Sequence, residues 1–310
     1  MAYSAEELLS YRRLLKSRSR WRLITLVVIL LSIIGLFISF SDGEQNGSDH
    51  IARIHIQDVI TTDERRAALL QDIRDDDAIK AVVLRINSPG GTTAGSESLY
   101  EYVRYVAEKK PVIAVIDEMA ASGGYIAALS ADYIISRETS IVGSIGVLIQ
   151  WGEVGGLLDH VGVKLNSVKS DPLKAEPDIS KPISAESEAV LKKVVDDSHQ
   201  WFLKLVETSR GLDTASARTL GDGRIFSGKE ALEHKLIDAI GGEMKALSYL
   251  KENHNLENLE IENYKPSQEN KLQDLFAGNI SIIQILSQAI GVENTQLYKF
   301  NGILALWKHN

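Results

Sequence analysis

Short apolar runs recur along the first half of the chain, with helix-length segments between them. IARIHIQ (51–57), AVVLRI (81–86) and VIAVI (112–116) are three such runs. Between the first two, residues 63–77 put Ala67, Leu69, Leu70 and Ile73 on one side of a helix. A second helical stretch runs from NSPGG to about Glu108. Apolar strands of this kind need cover on both faces, and strands joined by helices of about ten to seventeen residues pair in parallel. The expected fold is α/β, built of repeated βαβ units with a largely parallel sheet. DYIIS (132–136), IGVLI (145–149) and KLNSVK (164–169) are expected as further strands, and no internal repeat is visible.

Residues 170–184, SDPLKAEPDISKPIS, carry Pro172, Pro177 and Pro182, three of the chain's six prolines, and read as irregular backbone. An amphipathic helix follows with Ser184 as its cap, and Leu191, Val194, Val195, Phe202 and Leu205 share one face. GGEMKALSYL (241–250) and LFAGNISIIQILSQAI suggest further helices around the core, and residues 251–310 form a C-terminal helical extension.

LITLVVILLSIIGLFISF, Leu23 to Phe40, is eighteen residues without a charge. As a helix it spans about 27 Å, close to the hydrocarbon thickness of a bilayer. Arg12, Arg13, Lys16, Arg18, Arg20 and Arg22 precede it, and Asp42, Glu44 and Asp49 follow. The positive-inside rule then sets 1–22 in the cytoplasm, 23–40 in the membrane as an anchor, and the rest on the extracytoplasmic side. ISFSDGE offers no small-x-small cleavage site. Residues 41–50 are a polar linker, and 51–250 form the main domain. The formal charge is −8; residues 1–40 hold six basic and two acidic side chains, leaving −12 on the exported part. That balance, without a basic stripe, argues against nucleic acid. The chain has no cysteine, so an exported domain must stand on its core alone.

Two glycine-rich turns follow apolar strands. NSPGG (87–91) is either a tight turn or a cradle whose backbone N–H groups face an anion. In AASGGY, Ser122 stands where a strand passes into a helix, with two alanines before it and two glycines after. A nucleophilic serine favours that position, because the following N–H groups and the helix dipole stabilise an oxyanion. The alternative is a simple helix cap. A serine needs a base. The histidines His50, His55, His160, His199, His234, His254 and His309 all lie outside the glycine-rich stretches. A lysine freed of its proton by burial serves as well, and Lys164, Lys169, Lys174 and Lys181 are the candidates. No metal-ligand spacing, Walker loop or GxGxxG occurs, so neither metal nor cofactor is implied.

INSPGG, MAASGGY, TSIVGSIGV, VKSDPLKAEP and DGRIFSGKEALEHKLID, in that order, resemble the signal peptide peptidase A family over roughly residues 50 to 250. Its members are membrane-anchored serine peptidases of the ClpP/crotonase fold. The resemblance implies Ser122 as nucleophile, Lys174 as general base and Ser144 of GSIGV as the residue that holds the lysine. It implies an oxyanion hole from the N–H groups of Gly90 or Gly91 and Gly123. Two positions depart from the pattern: Ile126 replaces a second aromatic, and Asp171-Pro172 stand where glycine is common. Further implications are released signal peptides and other extended apolar peptides as substrates, and a homo-oligomeric ring at the membrane. The competing expectations are a catalytically inactive membrane scaffold and an acyl-CoA-binding crotonase relative.

Overall fold

The computed structural model describes residues 25–27, 29–30, 48–266 and 304–306. The chain forms two units, Met1–Ser48 and Asp49–Asn310. In the first, residues 25–27 and 29–30 are helical, with Leu26, Val27, Ile29 and Leu30 exposed. The remainder of the apolar run lies outside the described residues, as does LFAGNISIIQILSQAI. Among the described residues no helix is long and apolar enough to cross a membrane.

The second unit is mixed α/β with a largely parallel sheet, an architecture that fits a ClpP/crotonase-like fold. Its described strands are β1 (His50–Ile60), β2 (Ile79–Thr92), β3 (Val112–Ala121), β4 (Tyr133–Ser136), β5 (Ile141–Gly143), β6 (Ile225–Ser227), β7 (Ala239–Ile240), β8 (Glu260–Tyr264) and β9 (Leu304–Leu306). They follow the order β6-β5-β3-β2-β1-β8, with β4 between β3 and β7 and with β9 against β2. Every pair is parallel except β5–β6 and β2–β9. β3 pairs with β4 through Ile113–Ile116 and then with β5 through Met119–Ala121, so its last residues enter a different neighbourhood from its first.

Period-two alternation sorts the strand residues between two cores. Val82, Leu84 and Ile86 of β2, with Val112, Ala114 and Ile116 of β3, pack into one. The helices α1 (Glu64–Asp75), α2 (Thr93–Ala107) and α3 (Gly123–Leu129) cover that face. Ala81, Val83, Ile113 and Val115 point the other way, against Ala246 and Leu250. Each fully buried branched side chain contributes about 1.5–3 kcal/mol, which is how a cysteine-free domain holds together. Side-chain caps start the helices. Asp63 accepts from the N–H groups of Arg65 and Arg66 at α1, and Thr92 accepts from Gly95 at α2.

The remaining described helices are α4 (Gly155–His160), α5 (Ala185–Arg210), α6 (Thr214–Leu220), α7 (Gly228–Glu233) and α8 (Glu243–His254). Ser184 caps α5 as expected, its hydroxyl accepting from Ser187 N–H at 3.1 Å. The α5 face is covered most fully in its C-terminal half. Phe202 and Val206 are buried, whereas Val190 is 49% and Val194 is 38% exposed.

Two expected strands are corrected. The strand near 145–149 lies earlier, at Ile141–Gly143, because Gly143 (φ 99°) and Ser144 (φ 49°) turn the chain out of the sheet. Residues 164–169 form no strand: the segment pairs with none of the described strands, and Leu165 and Val168 are exposed.

Candidate active site

The carboxyl ends of β2 and β3 meet, and the two glycine-rich turns meet with them. A Cβ on Gly124 would stand 2.6 Å from the Ser88 carbonyl oxygen. One on Gly123 would stand 2.3 Å from Ser96 Oγ and 2.9 Å from Gly91 N. On the far side of β2, a Cβ on Gly91 would overlap the Ile60 carbonyl at 1.9 Å. The glycines therefore let three backbone segments stack where any side chain would hold them apart. Gly90 (φ 120°) also needs the conformation that glycine tolerates. Its N–H donates to Ser88 Oγ at 3.2 Å, and Ser88 in turn donates to the Asp58 carbonyl at 2.5 Å.

Ser122 is 1% exposed and holds φ 53°, ψ −117° at the junction of β3 and α3. That conformation costs a residue bearing a Cβ about 1–3 kcal/mol, so the surroundings must over-determine it. They do. Ser122 N–H donates to the Gly143 carbonyl at 2.8 Å, and the Ser122 carbonyl accepts from Tyr125 and Ile126 N–H at 2.9 and 3.0 Å. Its hydroxyl has a long contact with the Gly146 carbonyl, 3.4 Å. The first intrahelical bonds of α3 thus reach back to Ser122, leaving Gly123 and Gly124 N–H ahead of the helix ladder.

Ser144 is brought beside Ser122 by sheet register, because Ala121 pairs with Gly143. It too has positive φ and is buried, at 8% exposure. The DGRIFSG stretch fixes this corner: Ser144 N–H donates to the Arg224 carbonyl at 2.8 Å, β6 pairs with β5, and Phe226 packs over Gly143. Tyr125, fully buried, ties α3 to the chain beyond α7 by donating to the Leu236 carbonyl at 2.7 Å.

The four candidate lysines differ in their surroundings. Lys169 Nζ lies 3.0 Å and Lys181 Nζ 3.1 Å from Glu176 Oε1. An ammonium donating to a carboxylate offers no lone pair to a serine. The two hold the Glu176 carboxyl below its ordinary range. Lys164 and Lys174 are exposed, and no hydrogen bond joins either to Ser122 within the described residues. Lys110, outside the candidates, is buried and its pKa is pushed down by desolvation. Its amine is occupied by the carbonyls of Ile73 (2.6 Å) and Asp76 at the end of α1, which is a helix-capping role. Burial of a lysine alone therefore does not mark a base here. Of the histidines, His50 bonds Tyr264 Oη and His199 bonds the Gly221 carbonyl.

Of the sequence-derived site residues, then, Ser122, Ser144, Gly90, Gly91 and Gly123 converge, and Lys174 is exposed on its loop without a hydrogen bond to Ser122 among the described residues. Ser88, Ser96, Tyr125 and Arg224 were not legible beforehand. A serine one residue after Asn87 carries no pattern that distinguishes its hydroxyl as a backbone brace. The assembled corner offers a buried hydroxyl, a strained nucleophile-type turn and the Gly91 backbone beside Gly123, groups of the kind that acyl transfer requires.

Residues 104–257 match the model of peptidase family S49. A relative from Methanocaldococcus jannaschii that bears the name of a protease is 32% identical over 305 residues, covering 92% of this chain and 97% of its own. The chloroplastic serine protease SPPA of Arabidopsis thaliana is 30% identical over 234 residues, 73% of this chain and 33% of that one. Protease 4 of Haemophilus influenzae is 31% identical over 209 residues, 67% of this chain and 31% of its own.

Proposed function

The chain belongs to peptidase family S49, the SppA-type serine peptidases, and from that premise we propose that it is a membrane-anchored endopeptidase working through a Ser122–Lys174 dyad. The observation that carries the reading is Ser122 itself, held at φ 53° where β3 passes into α3, with the following Gly123 against the backbone of Gly91. In the proposed reaction the neutral Lys174 amine takes the Ser122 proton as Oγ attacks the scissile carbonyl. Backbone N–H groups hold the resulting oxyanion, and the ammonium returns its proton to the leaving amine. Water then repeats the sequence on the acyl-enzyme, with Lys174 again as base. Gly91 and Gly123 are the donors we assign, since Gly90 N–H is already engaged by Ser88. Ser144, next to Ser122 across the register, is the residue proposed to orient the lysine.

Lys174 reaches Ser122 when the exposed loop closes, and assembly is the proposed cause. Leu157, Val161, Leu165, Val168 and Ile179 around the loop and Val190 on α5 are all exposed, a surface suited to burial against a second copy. A ring of such copies at the membrane, anchored through 23–40 with the catalytic unit on the extracytoplasmic side, would receive released signal peptides and other extended apolar peptides. The apolar run with its preceding arginines supports that placement.

The test is labelling of detergent-solubilised full chain with a fluorophosphonate, wild type beside Ser122→Ala and Lys174→Ala. Both variants are expected to lose labelling while melting within about 0.5 kcal/mol of wild type, as surface or cavity-neutral changes do. Peptide hydrolysis is expected to rise toward alkaline pH, because a lysine must be neutral to act as base. Undiminished labelling of Lys174→Ala would move the base elsewhere. A folded, assembled wild type that fails to label would favour an inactive scaffold.

A further inference from the structure

Two contacts behind Ser122 help to set its place. Its N–H donates to the Gly143 carbonyl at 2.8 Å, and its hydroxyl meets the Gly146 carbonyl at 3.4 Å. Both carbonyls belong to one turn, residues 143–146, in which Gly143 (φ 99°) and Ser144 (φ 49°) have positive φ. Ser144 bears a Cβ, so its conformation persists only where neighbours impose it. A second turn does so. Gly221, Asp222, Gly223 and Arg224, between α6 and β6, lie against the first turn at three points. The Arg224 carbonyl accepts from Ser144 N–H at 2.8 Å. A Cβ on Gly146 would rest 3.5 Å from Gly223 Cα, and one on Gly221 would stand 3.3 Å from Ile145 Cγ2.

The second turn is clamped at both ends. At its start, His199 of α5 bonds the Gly221 carbonyl at 2.8 Å. A carbonyl only accepts, so Nε2 carries the proton and donates. His199 lies one helical turn before Phe202 and Leu203, which are buried in the core, and Leu203 closes over Gly221. At its end, Asp222 Oδ1 accepts from Arg224 N–H at 3.1 Å and from Arg224 Nε at 2.8 Å, while Oδ2 accepts from Nη2. A carboxylate that takes a backbone bond and a forked guanidinium bond fixes the Arg224 peptide as well as its side chain. The Arg224 hydrogen bonds hold the Asp222 carboxyl down to about 2, so the clasp stays ionised through the neutral range. We infer that His199 and Asp222 are positioning residues of the peptidase: they hold the 221–224 turn against the 143–146 turn, and through it they set the place of Ser122 and Ser144. The consequence for rate rests on the peptidase reading; the positioning itself does not.

The experiment uses the full chain in detergent, wild type beside His199→Phe, His199→Gln, Asp222→Ala and Asp222→Asn. Phenylalanine keeps a ring and removes the donor, whereas glutamine carries an amide that donates to the same carbonyl. Asparagine keeps an oxygen for Arg224 N–H and loses the ion pair; alanine loses both. Hydrolysis of an internally quenched apolar peptide gives kcat and KM. Hydrogen exchange is read at the Ser122 and Ser144 amides, with Val83 and Ile113 of the paired central strands as the reference for global opening. His199→Phe and Asp222→Ala are expected to lower kcat about tenfold with KM within about twofold, the mark of a displaced nucleophile. In both, exchange at 122 and 144 is expected to accelerate about fivefold or more while Val83 and Ile113 keep their rates. His199→Gln should recover about half or more of the wild-type rate, and Asp222→Asn should fall between alanine and wild type. Wild-type kcat in His199→Phe and Asp222→Ala, or unchanged exchange at 122 and 144, overturns the inference. So does equal acceleration at all four amides, or a glutamine variant as slow as phenylalanine, because either marks a general loss of stability. If the wild type neither hydrolyses peptide nor labels with fluorophosphonate, the peptidase reading fails, and exchange at 122 and 144 alone decides whether the two residues hold the turns.

Discussion

Replacing Gly123 by alanine is the sharpest probe of how the two glycine turns are fitted together. Gly123 opens α3, where alanine is favoured over glycine by about 1 kcal/mol on helix propensity. Against that gain, the new Cβ would stand 2.3 Å from Ser96 Oγ and 2.9 Å from Gly91 N, where ordinary contact begins at 3.4 Å. Ser96 is fully buried, and Gly91 is backbone braced on Ile60. A gap of about 1 Å must therefore open between the Ser122 turn and β2, and overpacking of this kind costs about 1–3 kcal/mol, enough to outweigh the propensity term. For a domain of this size that is a fall in Tm of roughly 2–12 °C. A displacement of about 1 Å between nucleophile and oxyanion donors should slow fluorophosphonate labelling on the order of a hundredfold. Ser96→Ala supplies the internal control. Its hydroxyl is buried without a partner, so removing it alone is expected to be neutral or slightly stabilising. In the double variant the nearest obstacle recedes to Gly91 N, and about half or more of the lost stability should return. Melting and labelling of the four proteins complete the cycle. A Gly123→Ala protein that labels at the wild-type rate, or a double variant no better than the single, refutes the stacking of the two turns.

Tyr125→Phe removes the hydroxyl that donates to the Leu236 carbonyl and strands a buried acceptor, so urea unfolding should report a loss of about 1–3 kcal/mol; an unchanged midpoint would mean that α3 is not tied to the 236 segment. The loop from Lys169 to Lys181 is held through Glu176, whose carboxyl lies below its ordinary 4.5, first through the hydrogen bond from Lys169 and then that from Lys181. A depressed carboxyl contributes stability above its unfolded value and loses it as pH falls through the folded one. Exchange in 165–182, corrected for intrinsic rate, should therefore rise on acidification below about pH 4.5, and Glu176→Gln should abolish that dependence. Equal protection at pH 7 and about pH 3 in the wild type would remove Glu176 from that role.

The sheet was legible from sequence because its signal is local. AVVLRI and VIAVI are buried on both faces, so continuous apolar runs announce them, and the Asp63, Thr92 and Ser184 caps mark helix starts by residue type. The candidate nucleophile was legible for the same reason, since bare backbone on both sides of a serine after a strand is an unusual local cost. KLNSVK shows the limit: alternation makes a strand only where the segment pairs with a neighbour, and pairing belongs to the tertiary structure. The same holds for the site. That Gly123 rests on Gly91 and that Ser144 lies beside Ser122 are facts of sheet register between segments separated along the chain. The choice among four lysines was equally beyond the sequence, because an ion pair such as Lys169–Glu176 separates a structural lysine from an available one only once the loop is folded. Residue type and spacing determined which groups this protein carries; three-dimensional closure decided which of them face one another, because hydrogen bonding and contact act over ångströms while the sequence records only order along the chain.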